Sequence, residues 1–212
     1  MEHTQKQKVL ILAPHTDDGE LGCGGTIVRL LEEGNDLYYA AFSICEESVP
    51  EGFPKDSLEK EVKLATASLG IKKENLILFN YPVRKLNSYR QDILEHIIEM
   101  RFNINPDVIF MPCSNALHQD HRTIYEEGMR AFKYKTIYGY DLPWDTVAFT
   151  TTAFFKLTQA HIDKKCFAME FYETQKFRKF VNKDFLIGLA RVRGVQIFAE
   201  YAEAFEMLRI IH

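Results

Sequence analysis

The stretch Val9-Leu10-Ile11-Leu12-Ala13-Pro14-His15-Thr16-Asp17-Asp18 decides the fold. Its apolar run has no in-out alternation, which predicts a strand buried on both faces, the habit of parallel strands covered by helices. Pro14 ends the strand, and an imidazole and two carboxylates follow at once in the loop. The same order recurs downstream, where the run Asp107 to Met111 is closed by Pro112 and leads to His118-Gln119-Asp120-His121. Ligands of open α/β sheets bind beyond the carboxyl ends of the strands, so two such loops can converge on one pocket.

Outward from these two stretches, strand-like runs at Lys8 to Ala13, Leu37 to Ser43, Asn75 to Phe79 and Asp107 to Met111 alternate with helical periodicity at about 20–33, 57–69 and 88–102. That alternation predicts βαβ units and a mostly parallel sheet. Within 57–69, Val62, Ala65 and Leu69 share one face, and Gly70 is placed to end the helix. A further helix is expected from His121 through Phe132 with Asp120 as its N-cap. Beyond Ile137 the sequence predicts strand-like pieces around 146–157, helices at about 159–170 and 173–192, and a closing strand near 207–211. Cys45 to Asp56, with its prolines and acidic residues, reads as a long surface loop able to cover a site.

A length of 212 residues, 46% of them hydrophobic, suits one domain over residues 1–212 with an ample core. A net charge of -4 with dispersed Lys and Arg offers no footprint for nucleic acid or an anionic membrane, and no apolar run is long enough for membrane insertion. The four cysteines lack CxxC spacing, and the N-terminus lacks the pattern of a secretory signal, so a cytoplasmic location with reduced thiols is expected. Self-association into a homo-oligomer is left open.

Zinc in catalytic sites commonly takes three His or carboxylate ligands and leaves one position to water or substrate. His15, Asp18 and His121 supply such a set. Asp17 is then the spare carboxylate suited to a general base, and His118 a residue that, protonated, could stabilise an oxyanion and donate to a leaving amine. Asp120 is near enough in sequence to hold that imidazole and raise its pKa. Taken singly, Asp17-Asp18-Gly19 could be only a turn and Asp120 only a cap. Two His-carboxylate clusters, each directly after a buried strand, weigh against that reading. Gly22, Gly24 and Gly25 do not make a dinucleotide fingerprint, because two aspartates stand where the first glycine and the phosphate belong; close helix-to-sheet packing explains them better.

These residues resemble the LmbE-like, or GlcNAc-phosphatidylinositol deacetylase (PIG-L), family of zinc-dependent N-deacetylases. The first family motif stands here as Pro14-His15-Thr16-Asp17-Asp18-Gly19-Glu20-Leu21-Gly22-Cys23-Gly24-Gly25, and its HxDH motif as His118-Gln119-Asp120-His121. Glu61 with Ala65, Leu69 and Gly70, and the terminal Tyr201-Ala202-Glu203-Ala204-Phe205-Glu206, extend the likeness. The resemblance implies a Rossmann-like three-layer α/β/α sandwich. It also implies zinc on His15, Asp18 and His121, Asp17 as base, His118 as acid or oxyanion stabiliser oriented by Asp120, and removal of acetate from an N-acetylglucosamine-type substrate. Thr16 replaces the family's usual Pro, and Leu58-Glu59-Lys60 stand where many members carry an Arg. Arg84 or Arg90 could supply that cation, and Trp144 could stack on a sugar face. Two other readings remain at this point: a 2-His-1-carboxylate enzyme using Fe2+, and a non-catalytic metal-stabilised binding protein.

Overall fold

A computed structural model describes residues 6–211. Seven strands form one sheet: β1 (Lys8–Ala13), β2 (Asp36–Ala41), β3 (Leu76–Leu78), β4 (Val108–Pro112), β5 (Thr136–Tyr140), β6 (Ala153–Leu157) and β7 (Tyr201–Arg209). Their spatial order is β3-β2-β1-β4-β5-β7-β6. The first five run parallel, while β7 is antiparallel to both β5 and β6. Six α-helices cover the faces: α1 (Asp18–Glu32), α2 (Ser57–Leu69), α3 (Arg90–Asn103), α4 (Gln119–Ala131), α5 (Gln159–Glu170) and α6 (Lys183–Val195).

The pleat divides the apolar residues between two cores. Val9, Ile11 and Ala13 of β1 join Ile27, Val62 and Met169 in the core under α1, α2 and α5. Leu10 and Leu12 join Ile97, Ile124 and Ile109 under α3 and α4. Both faces of β1 are therefore dry, which is why its sequence is continuously apolar, and the result is the expected three-layer sandwich.

The chain winds from β1 through β2 to β3 on one side, then returns through β4 to β5 on the other. The switch of direction lies between β1 and β4, which pair in parallel with Val9 opposite Val108. Loops leaving the carboxyl ends of these neighbours are driven apart by helices on opposite faces, and a crevice opens between them. The two His-carboxylate clusters leave from these two ends.

Helix α1 carries a break at Cys23 (φ −146°, ψ 23°) that exposes backbone groups inside the protein. Lys165 Nζ donates to Leu21 O at 2.7 Å, and Glu203 accepts from the amides of Gly25 (3.1 Å) and Thr26 (2.7 Å). Lys165 and Glu203 also pair with each other at 2.6 Å, so the break is satisfied by one buried ion pair. The glycines lie where expected: a Cβ at Gly22 would stand 2.5 Å from Tyr140, and one at Gly25 2.6 Å from Leu157.

Several sequence expectations are corrected. The helix expected over 173–192 begins only at Lys183; residues 173–182 hold a single tight turn at Glu173–Gln175 and then irregular chain. Periodicity misled there because Phe177, Phe180 and Phe185 are spaced like a helical face. The strand expected around 146–157 is confined to β6, and the closing strand starts earlier, at Tyr201. β5, which fills the sheet between β4 and β7, was not singled out as a strand. Helix α4 begins before Asp120; its N-cap is His118, whose Nδ1 accepts the Asp120 amide at 3.1 Å. Gly70 ends α2 as expected, at φ +105°. Among the described residues no helix is long and apolar enough to cross a membrane.

Candidate active site

His15 leaves β1, Asp17 caps α1, and Asp18 is the first residue of that helix. Opposite them, His118 caps α4 while Asp120 and His121 lie in its first turn. All but Asp120 line a cavity of about 230 Å³ at the carboxyl end of the sheet.

Three side-chain atoms converge within it. His15 Nδ1 lies 3.0 Å from Asp18 Oδ2, His121 Nε2 lies 3.2 Å from the same oxygen, and the two ring nitrogens are 3.2 Å apart. Ligands of a tetrahedral ion bonded at 2.0–2.1 Å are separated by about 3.3 Å. The protein therefore presents one face of a coordination tetrahedron of the size that a zinc-like divalent ion requires.

The outward ring nitrogens are braced as metal-bound histidines usually are. His15 Nε2 lies 3.0 Å from Asp120 Oδ2, and His121 Nδ1 lies 2.8 Å from Asp145 Oδ2. In the protein alone, burial depresses both imidazoles, yet the surrounding groups outweigh it. His121 is raised to about 9 by Asp18 and Asp145, and His15 is held well above its usual value by Cys45, Asp18 and Asp120. An environment that strongly favours positive charge on two neutral ligands suits a cation placed between them.

His118 is wired differently. The three imidazoles each offer a nitrogen, and these lie within 4.8 Å of one another, so a three-histidine set is conceivable on distance alone. But His118 Nδ1 accepts a backbone N–H, so in the neutral ring the proton sits on Nε2. That nitrogen is a donor, not a lone pair for a metal. Burial, together with His15 and His121, also lowers the His118 pKa. The expected support from Asp120 is absent, because the Asp120 carboxylate bonds His15, the Arg84 amide (2.6 Å) and the Leu86 amide (3.1 Å) instead. Asp120 is thus a positioning residue that joins a metal-binding ring to the Arg84 loop.

Asp17 is half-buried and borders the cavity. Burial, then the adjacent Asp18 charge, raises its carboxyl to about 6, which places it near the range of a working general base. The intervening Thr16 carbonyl is gripped by two phenols: Tyr39 Oη donates at 3.0 Å and Tyr172 Oη at 2.7 Å. The same hydroxyls contact the two oxygens of Glu20. Two phenolic hydrogens cannot serve four contacts, and a proton on Glu20 supplies a third. Consistently, burial raises the Glu20 carboxyl from 4.5 to about 8 against the pull of both tyrosines.

A raised acid contributes stability fully below its unfolded pKa and loses it as pH rises through the folded one. Glu20→Gln keeps the shape without the titration. Its stability relative to the parent chain is expected to grow by about 2–4 kcal/mol between the two pKa values. Denaturant titrations of both chains across that interval check this; parallel curves would mean that Glu20 is ionised in the fold.

The remaining expected contacts divide. Arg84 and Trp144 line the cavity, although Trp144 is stacked on Phe180 at 3.7 Å and 6°, so one ring face is already covered. Arg90 does not reach it. Its guanidinium sits on Glu126 and Glu127 of α4, because the fully buried Glu127 carboxylate requires cations, which Arg90 and Arg130 provide. Asp145, Gln175 and Arg178 were not anticipated. Asp145 lies in a turn after β5 with no periodic signal, and the other two lie on the segment read as helix.

Comparison with known proteins gives the following. Residues 10–132 match the family model described as PIG-L: GlcNAc-PI de-N-acetylase. Diacetylchitobiose deacetylase of Thermococcus kodakarensis is 28% identical over 125 residues, 55% of this chain but only 45% of that protein. The chain thus spans about half the length of that relative. The conserved protein TT1542 of Thermus thermophilus superposes with a TM-score of 0.82 at 24% identity, over 97% of both chains. GalB, the 4-carboxy-2-hydroxymuconate hydratase of Pseudomonas putida KT2440, superposes with a TM-score of 0.80 at 17% identity, over 97% of this chain and 98% of that one. These likenesses show a shared fold, while the sequence match, which covers more than half of the chain and both His-carboxylate clusters, shows that the protein belongs to the PIG-L family.

Proposed function

We propose that this chain is a zinc-dependent hydrolase that removes the acetyl group from an N-acetylglucosamine-type amino sugar, releasing acetate and a free amine. The observation that carries the reading is the set of three ligand atoms 3.0–3.2 Å apart with Asp17 beside it and His118 facing it. Fold likeness alone does not select the reaction, since a hydratase shares the architecture.

A divalent ion on His15, Asp18 and His121 would supply Lewis acidity, polarising the acetamide carbonyl and making water easier to deprotonate. The chain's own groups carry the rest. Asp17 takes a proton from the attacking water on its carboxylate, aided by a pKa that already lies within reach of neutrality. His118 presents its Nε2–H to the oxygen on which charge develops. Asp17, once protonated, is the group available to return a proton to the leaving nitrogen. Asp120 and Asp145 hold the two ligand rings in the tautomer that leaves the inner nitrogens free.

His118→Ala is expected to keep the metal and lose about 10²–10³ in turnover, the worth of one oxyanion donor. His118→Gln, which restores an N–H, should recover part of that loss. Metal loss in His118→Ala would instead make His118 a ligand. The reaction itself is tested by incubating zinc-loaded protein with a panel of N-acetylated sugars and measuring acetate and primary amine. Equal release of both supports the reading, and release of neither from any sugar contradicts it.

A further inference from the structure

The chain has ten arginines, and their partners single out two of them. Arg29, Arg90, Arg130 and Arg193 close ion pairs with carboxylates. Arg101, Arg122 and Arg209 bond carbonyl oxygens, and Arg191 the Tyr201 hydroxyl. Arg84 and Arg178 are the two left, among the described residues, without a carboxylate or carbonyl partner. Both line the cavity that holds the His-carboxylate cluster, and no lysine does.

Each is held in place by its surroundings. Arg84 adopts φ +64°, a left-handed conformation uncommon for any residue but glycine. Its amide is fixed by Asp120 and its carbonyl by Gln119, so the loop is kept in this shape by the same carboxylate that braces His15. Arg178 donates from Nε to Gln175 Oε1 at 2.6 Å and rides 5.6 Å from the centre of the Phe180 ring, leaving its terminal nitrogens unengaged. The turn carrying Gln175 is anchored in turn by Glu61 of α2, which accepts from the Thr174 amide (3.0 Å) and hydroxyl (2.6 Å). A long cationic side chain without a counter-charge is normally left to wander in solvent. Here two are brought to one cavity by buried carboxylates.

The cavity is consequently bipolar, with Asp17, Asp18 and Asp145 at the ion-binding end and two guanidiniums elsewhere on its wall. An acetamide and a sugar ring are neutral and give the guanidiniums no charge to meet. We propose that Arg178, together with Arg84, is a specificity determinant that selects amino-sugar substrates bearing an anionic group, a carboxylate or a phosphate, beyond the ring. Planar guanidinium forks match both anions bidentately, and such charge-assisted contacts are the strong class of hydrogen bond. The inference rests on the N-deacetylase reading above.

Three N-acetylglucosaminides that differ only in the appended group provide the test: the methyl, the carboxymethyl and the 2-phosphoethyl glycoside. With the zinc-loaded protein, kcat/KM for at least one anionic substrate should exceed that for the methyl glycoside by roughly 10–100-fold, and added salt should narrow the gap. Arg178→Gln should lower the anionic-to-neutral ratio about tenfold, chiefly through KM, and Arg178→Gln with Arg84→Gln should bring it near one. A wild-type ratio near one, or a ratio unchanged in both variants, overturns the proposal. So do equal losses on all three substrates, the pattern expected if Arg178 merely held the acetate that every substrate releases. Should none of the three be hydrolysed, the deacetylase reading fails separately, and calorimetry still decides the charge preference. Tighter binding of an anionic glycoside than of the methyl glycoside, lost in the double variant, supports it; equal binding overturns it.

Discussion

Asp17→Asn is expected to bind metal like the parent chain and to lose about 10²–10⁴ in turnover, the usual worth of a positioned general base. The effect is chemical and not structural. Asn is isosteric and caps helices as well as Asp does, so the start of α1 is preserved. Asp17 makes no contact with the three converging ligand atoms, which belong to His15, Asp18 and His121. Its carboxyl, raised to about 6 by burial and by the Asp18 charge, is the ionisable group of the cavity closest to the pKa that base catalysis favours. Metal content and steady-state rates measured on one preparation check both halves. Parental turnover would move the base elsewhere, and lost metal would make Asp17 a ligand.

His121→Ala should lose the ion itself. Structural zinc sites bind with about 10–16 kcal/mol, so removing one ligand of a small set costs roughly 3–5 kcal/mol, or two to three orders of magnitude in affinity. Here the cost has a second part, since Asp18 and Asp145 would both lose the ring that lies against them. Competition with a chromophoric chelator gives the affinity directly. An affinity within a few-fold of the parent would remove His121 from the ligand set.

Much of this arrangement was legible in the sequence, for physical reasons that also mark where reading stopped. β1 and α2 matched their expected spans because one is apolar without break and the other has a one-faced stripe closed by Gly70. The meeting of the two clusters followed from strand ends on one sheet, although only the topology shows that β1 and β4 are neighbours at the switch point. Local adjacency misled in one case: Asp120 is two residues from His118, yet the turn of α4 sends its carboxylate across to His15, far away in sequence. Asp145 and Arg178 were invisible because their roles arise from tertiary approach through irregular chain, which carries no period. Arg90 looked available because the buried Glu127 that claims it lies on a helix whose packing the sequence does not reveal.

The central claim is that one divalent ion held by His15, Asp18 and His121 makes this chain a deacetylase. It is tested most directly by titrating metal-stripped protein with zinc while following acetate release from an N-acetylated amino sugar that it turns over. The account predicts a rate that is negligible without zinc and rises in proportion to the ion until about one equivalent per chain is bound. Acetate release that proceeds undiminished in the metal-stripped protein would contradict it.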